Sequence, residues 1–213
     1  MKKFNFWSLF LLIPLFLGVY VTVSGDKFYQ LEKTVFDALR LLSPTFDVPF
    51  RVITELGSAV GIITIAAVIL IITAITKKHF FTFGLPVVIS VIVSRIVNIT
   101  LKLIINRPRP DFKVLFVDES SFPSGHAQNN MAFYISILLV ALLIIKASKL
   151  STILKICLPT IPIIIGLTRI YFGVHYVTDV LAGWGIGAFV AILVFYFYFK
   201  FYDIIKEKKN AKT

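Results

Sequence analysis

The sequence predicts an all-α integral membrane bundle of six transmembrane helices, and three observations carry that expectation. Of the 213 residues, 58% are hydrophobic and only 15% are charged, with a mean hydropathy of +0.90. A water-soluble domain of this size could not hide so much apolar surface, so the bilayer is its natural solvent. Six stretches reach the roughly 17–25 apolar residues that cross a hydrocarbon core: residues 4–24, 52–76, 80–105, 125–146, 151–168 and 176–200. The lysines are the third observation. Lys2, Lys3, Lys77, Lys78, Lys146, Lys149, Lys155, Lys200, Lys206, Lys208, Lys209 and Lys212 all fall on one side if the six helices alternate. The positive-inside rule makes that side, and both termini, cytoplasmic. Residues 1–213 form a single membrane domain with no internal repeat.

The first stretch is longer than the roughly 7–15 apolar residues of a signal peptide, and no clear small-x-small cleavage site follows it, so a retained first helix is expected. Between the first two spans, Phe28, Leu31, Val35, Leu39 and Leu42 recur at helical spacing among charged residues. That pattern predicts a short amphipathic helix in the interface, over about residues 26–43, acting either as a spacer or as a surface that guides substrate. Pro44 and Pro49 then lead into the second span. Cys157 is the only cysteine, which excludes an intramolecular disulfide. The net charge of +11 follows from membrane topology and gives no reason to expect a nucleic-acid partner.

The outward connections hold the unusual chemistry. "LKLIINRPRPDFK" brings Lys102, Arg107 and Arg109 to the end of the third span. "FPSGHA" opens the fourth with Ser124, Gly125 and His126, and "LTRIYFGVHYVTD" joins the last two with Arg169, His175 and Asp179. Guanidinium forks suit phosphate oxygens. Ser124 is placed to cap a helix whose free amides would favour an anion. His175 and Asp179 stand at i, i+4 on one helical face, so the carboxylate can orient the imidazole as a nucleophile or base.

Each feature also has an ordinary structural reading. Cations at helix ends snorkel to headgroups, a Ser-Gly pair is commonly only a cap, and His175–Asp179 is equally a helix-surface pair. A metal site from His126, His175 and Asp179 is disfavoured by three nearby cations and by the lack of a carboxylate-rich shell. Arg107 is expected to contact headgroups, and His79 to be solvated. Arg95, seven residues before Lys102, is too deep to face lipid; it is expected to support the inner wall of a cavity, with Glu55 as a partner.

Three segments together resemble the type 2 phosphatidic acid phosphatase superfamily, and in layout its small bacterial membrane lipid phosphatases. "KLIINRPRP" fits K-x6-R-P with Arg109 as the arginine. "PSGH" is the second signature, and "TRIYFGVHYVTD" fits S-R-x5-H-x3-D with Thr168 in place of serine. The resemblance implies that His175 attacks phosphorus, that Asp179 orients it and that His126 protonates the leaving group. It implies that Lys102, Arg109, Ser124, Gly125 and Arg169 hold the phosphoryl oxygens, with no metal or cofactor. Thr168 is left as a supporting residue. The implied substrate is a lipid phosphate at the extracytoplasmic face of the cell membrane: phosphatidylglycerophosphate, phosphatidate or undecaprenyl diphosphate. A soluble phosphate ester, or lipid binding or transport without hydrolysis, are the competing functions.

Overall fold

Hydrophobic helices pack here into a bundle that exposes many large apolar side chains on its outer surface. The structure, a computed structural model, describes residues 13–24, 28–77, 79–145 and 148–210. In chain order it contains α1 (Ile13–Val23), α2 (Tyr29–Arg40), α3 (Asp47–Leu56), α4 (Ala59–Ile75), a π-helical turn (Phe80–Gly84), α5 (Leu85–Ile105), α6 (Gly125–Ile144), α7 (Lys149–Tyr171) and α8 (Val177–Asn210). There is no strand among the described residues. Helices spanning Phe80–Ile105, Gly125–Ile144, Lys149–Tyr171 and Val177–Ile204 are each long and apolar enough to cross a membrane. Ile63, Ile72, Ile96, Leu103 and Ile156 are exposed, as side chains facing hydrocarbon would be.

Two expected spans differ in form. The stretch 52–76 is not one straight helix, because α3 and α4 meet at a 48° bend. Gly57 ends α3, and the hydroxyl of Ser58 caps α4 by accepting from the Gly61 amide at 3.2 Å. A new N-cap inside an apolar run restarts the helix in a new direction. Of the first stretch, residues 4–12 lie outside the described residues, and the remainder is the short apolar α1.

α6 lies at the centre, between α5, α7 and α8. Gly183 and Gly187 allow the closest approach: a Cβ on Gly187 would stand 2.2 Å from the Gln128 carbonyl oxygen, and one on Gly183 would stand 2.8 Å from that of Ser124. This is the small-xxx-small device by which membrane helices bring their backbones together. α5 and α6 are joined by buried amides instead. Asn98 Nδ2 donates to Gln128 Oε1 at 3.0 Å, and Gln128 Nε2 donates to the Ser94 carbonyl at 2.9 Å. Ser94 Oγ donates to Asn129 Oδ1 at 2.8 Å. In an apolar medium such groups must satisfy one another, so this network fixes the register of the helix that carries His126.

The amphipathic helix forms as α2, with Asp26 and Lys27 of the expected segment outside the described residues. Val35 and Leu39 pack on Ala127, Ile170 and Val180, whereas Leu31 is exposed. The acidic Glu32 faces inward beside Phe36, and both are buried. α2 therefore closes over one end of the bundle, above the junction of α7 and α8.

Candidate active site

Helix ends and sharp chain reversals bring the site residues together. α5 stops at Asn106, whose left-handed backbone accommodates the turn, and Pro108 and Pro110 cannot resume a helix. The chain then crosses the bundle end and enters α6 at Ser124. From α7 it reverses at Gly173, whose φ of +64° suits glycine. A Cβ there would lie 2.9 Å from both the Phe112 carbonyl oxygen and a Phe36 ring carbon. The reversal aims His175 inward before α8 begins.

Lys102, Arg109, Gly125, His126, Arg169 and His175 line one cavity of about 300 Å³. His175 is buried, and its Nε2 lies 3.3 Å from Arg109 Nη1. A guanidinium can only donate, so Nε2 offers its lone pair and the imidazole proton resides on Nδ1. Burial pushes the His175 imidazole down to about 4, against the pull of the neighbouring Asp179. The ring is consequently neutral near pH 7, with a free electron pair turned into the cavity.

Asp179 lies behind His175 and is completely buried. Its Oδ2 is 3.5 Å from His175 Nδ1, close enough for attraction but not a formed hydrogen bond, and Nδ1 has no partner. The carboxylate is held by other donors: Arg107 Nη1 at 2.6 Å, the Tyr176 amide at 2.9 Å and the hydroxyl of Ser121. Arg107 thus departs from the expected headgroup role. It is 7% exposed, with its guanidinium 3.9 Å from the Tyr176 ring centre. Its guanidinium reaches the Asp179 carboxylate, whereas that of Arg109 reaches the Val174 carbonyl and His175.

The remaining cations are anchored through backbone and hydroxyl oxygens. Lys102 Nζ donates to the Ser120 carbonyl and lies 3.6 Å from Glu119 Oε2. Arg109 donates to the carbonyls of Glu119 and Val174, each at 2.6 Å. Arg169 Nη1 donates to Thr54 Oγ1 at 2.7 Å, while its buried Nε has no partner. A buried guanidinium N–H with nothing to bond, at the edge of a cavity, is a donor prepared for a ligand.

Several expected residues occupy other positions. Ser124 is fully buried, and its hydroxyl caps α6 by accepting from the Ala127 amide at 3.5 Å; its neighbour Gly125 faces the cavity. Thr168 is also fully buried, and its hydroxyl donates to the Ile165 carbonyl within its own helix. Glu55 makes no ion pair with Arg95 among the described residues. His79 is exposed, as expected. Glu32, overlooked in sequence, accepts from the Val177 amide at 2.5 Å and from Thr178 Oγ1 at 2.6 Å. It caps α8 one residue pair beyond His175. Among the described residues, no group of three or more His, Cys, Asp or Glu side chains is placed to hold a metal.

The fold and site define a multi-pass membrane protein with a cavity lined by cations and two histidines at one end of its bundle. The sequence profile of the PAP2 superfamily matches residues 83–203, and the chain belongs to that superfamily. It is 39% identical over 105 residues to phosphatidylglycerophosphatase B of Bacillus subtilis, covering 47% of this chain and half of that relative. It is 26% identical to the undecaprenyl-diphosphatase of Sulfolobus acidocaldarius, over 91% of each chain. The crystal structure of a transmembrane PAP2-type phosphatidylglycerolphosphate phosphatase from Bacillus subtilis superposes with a TM-score of 0.78 at 27% identity, covering 92% of this chain and 98% of that one.

Proposed function

We propose that this protein is a metal-independent lipid phosphatase, working through a phosphohistidine at the extracytoplasmic face of a six-span bundle whose termini are cytoplasmic. His175 Nε2 attacks phosphorus, and the P–O bond to the leaving group breaks. The leaving oxygen takes a proton from His126. Water then attacks the phosphorus, returning a proton to His126; the P–N bond breaks, and inorganic phosphate leaves with His175 restored. Lys102, Arg109, Arg169 and the amide of Gly125 hold the equatorial oxygens, where fixed donors stabilise the redistributed charge. Ser124 supports this arrangement as the cap that frees the first amides of α6. Asp179 stabilises the proton on His175 Nδ1 as positive charge develops on the ring.

The observation that carries this reading is the position of His175 Nε2, 3.3 Å from Arg109, in a cavity lined by the four cations Arg95, Lys102, Arg109 and Arg169. Substrate candidates follow from the relatives: phosphatidylglycerophosphate and undecaprenyl diphosphate, with phosphatidate as a simpler member of the class. Purified protein in mixed micelles, with chelator present, is expected to release phosphate from at least one of these lipids. It should outpace its own hydrolysis of a short soluble ester. His175→Ala should abolish both release and acid-labile labelling of the protein. An active His175→Ala protein would overturn the mechanism, and equal rates on soluble esters would overturn the lipid preference.

A further inference from the structure

Arg95 is a charge near the middle of an apolar helix. It stands ten residues from the Ile105 end of α5, which at 1.5 Å per residue is about 15 Å, half the thickness of a roughly 30 Å hydrocarbon core. Its side chain is exposed rather than packed, and it makes no hydrogen bond or ion pair with any other described residue. A cation at that depth is costly and belongs at a wet cavity or beside an anion. Arg95 borders two cavities. One is the catalytic cavity. The other is an apolar groove of about 190 Å³ between α4 and α5, lined by Ala59, Ile62, Ile63, Val91, Ile92 and Ile96. Asn129 is common to both cavities but already accepts from Ser94. Arg95 is left as the charged group at the junction.

We propose that Arg95 forms a second phosphate subsite, taking the phosphate that is not transferred in a lipid carrying two phosphoryl groups. The inference rests on the hydrolase reading above and deepens it. A lipid whose terminal phosphorus is at His175 must send its hydrocarbon tail away from the cations, and the groove offers apolar walls opening to the bilayer side of α4 and α5. Whatever joins the reacting phosphate to that tail passes Arg95. In a lipid diphosphate, or in a lipid with a terminal phosphomonoester beyond a phosphodiester, that connecting part carries a second negative phosphate. In phosphatidate it carries none. Arg95 also lies on nearly the same face of α5 as Lys102, two turns further in, so one helix presents a cation to each phosphate. The guanidinium fork suits a phosphate oxygen pair.

The test compares diacylglycerol diphosphate, phosphatidylglycerophosphate and phosphatidate, which share a tail, for the full-length protein and for Arg95→Gln and Arg95→Lys in mixed micelles. Arg95→Gln should reduce kcat/KM for the two-phosphate lipids about tenfold more than for phosphatidate, the scale of one charge-assisted hydrogen bond. The loss should fall mainly on KM, with Arg95→Lys recovering part of it. Relative losses on the diphosphate and on the phosphodiester lipid then tell which spacing the subsite takes. Equal fractional loss on all three lipids, or no loss on any, would overturn the proposal. If Arg95→Gln aggregates in detergent, Arg95→Lys decides, and unchanged selectivity in that variant overturns it too. Wild-type protein that releases no phosphate from any lipid would instead bring down the underlying hydrolase reading.

Discussion

Arg107 Nη1 meets Asp179 Oδ1 at 2.6 Å, and both side chains are sealed from solvent. This pair holds the carboxylate that faces the proposed nucleophile. Removing one partner would strand a buried charge, which costs about 3–5 kcal/mol. Arg107→Leu is therefore expected to lower the unfolding temperature in detergent far more than Arg107→Lys. Placing Arg107→Leu on Asp179→Asn should cost less than the sum of the two changes, although the buried Glu32, 3.9 Å from Arg107, then also loses its cation. Additive losses in that double-mutant cycle would show that the pair is not coupled.

Glu32 predicts an effect on catalysis from outside the sequence motifs. Its carboxylate receives the first free amide of α8 and the Thr178 hydroxyl, fixing the helix start that holds Asp179 and follows His175. Glu32→Gln retains an acceptor and should cost little. Glu32→Ala leaves buried donors unsatisfied and should destabilise the fold by about 1–3 kcal/mol. Because it loosens the mounting of the proposed nucleophile, it should also lower kcat more than it raises KM. Thermal unfolding and steady-state kinetics on the two variants would separate these effects.

The helical class and the cavity lining were legible because each rests on local pattern. Apolar runs predict spans, and the spacing of Lys102, Arg109, Arg169 and His175 around helix ends predicts convergence. Partnerships across the bundle were not legible. Nothing in the neighbourhood of Glu32 distinguishes it from a solvated acid on an amphipathic helix; only the docking of α2 over α8 buries it. Arg107 and Arg109 stand in near-identical Arg-Pro contexts, yet one pairs with Asp179 and the other with the Val174 carbonyl and His175, a difference that leaves no mark in composition. The bend at Gly57–Ser58 had a visible cap, masked by the apolar run around it. Ser124 shows the reverse case: its capping role was readable, and its side chain is spent on that role.

The α6–α8 contact depends on two missing side chains. A methyl at Gly187 would stand 2.2 Å from the Gln128 carbonyl oxygen and 3.0 Å from the Met131 Cβ. Backbone and Cβ atoms cannot swing aside, so the helices must part. Gly187→Ala is expected to destabilise by about 1–3 kcal/mol and Gly187→Leu by more. Both should lower activity, because α6 carries His126 and α8 carries Asp179. A Gly187→Leu protein with unchanged unfolding temperature would contradict the close packing.

His175 sets a pH dependence whose sign follows from its burial. In the unfolded chain the imidazole takes up a proton near its ordinary value of 6.5, whereas burial in the folded protein holds it down to about 4. Between those values the unfolded state binds more protons at this position, so this residue makes stability fall as pH drops. Above about pH 6.5 both states are neutral there and the effect vanishes; below about pH 4 both are protonated and it levels off. His175→Asn removes the titration while leaving the other groups in place. The unfolding temperature of wild-type protein should accordingly decline relative to His175→Asn as pH is lowered from 6.5 to 4, and run parallel to it above 6.5. A constant difference through that window would mean that His175 is protonated as readily inside the fold as outside it, and such a residue would not present a free Nε2 to a phosphate at neutral pH.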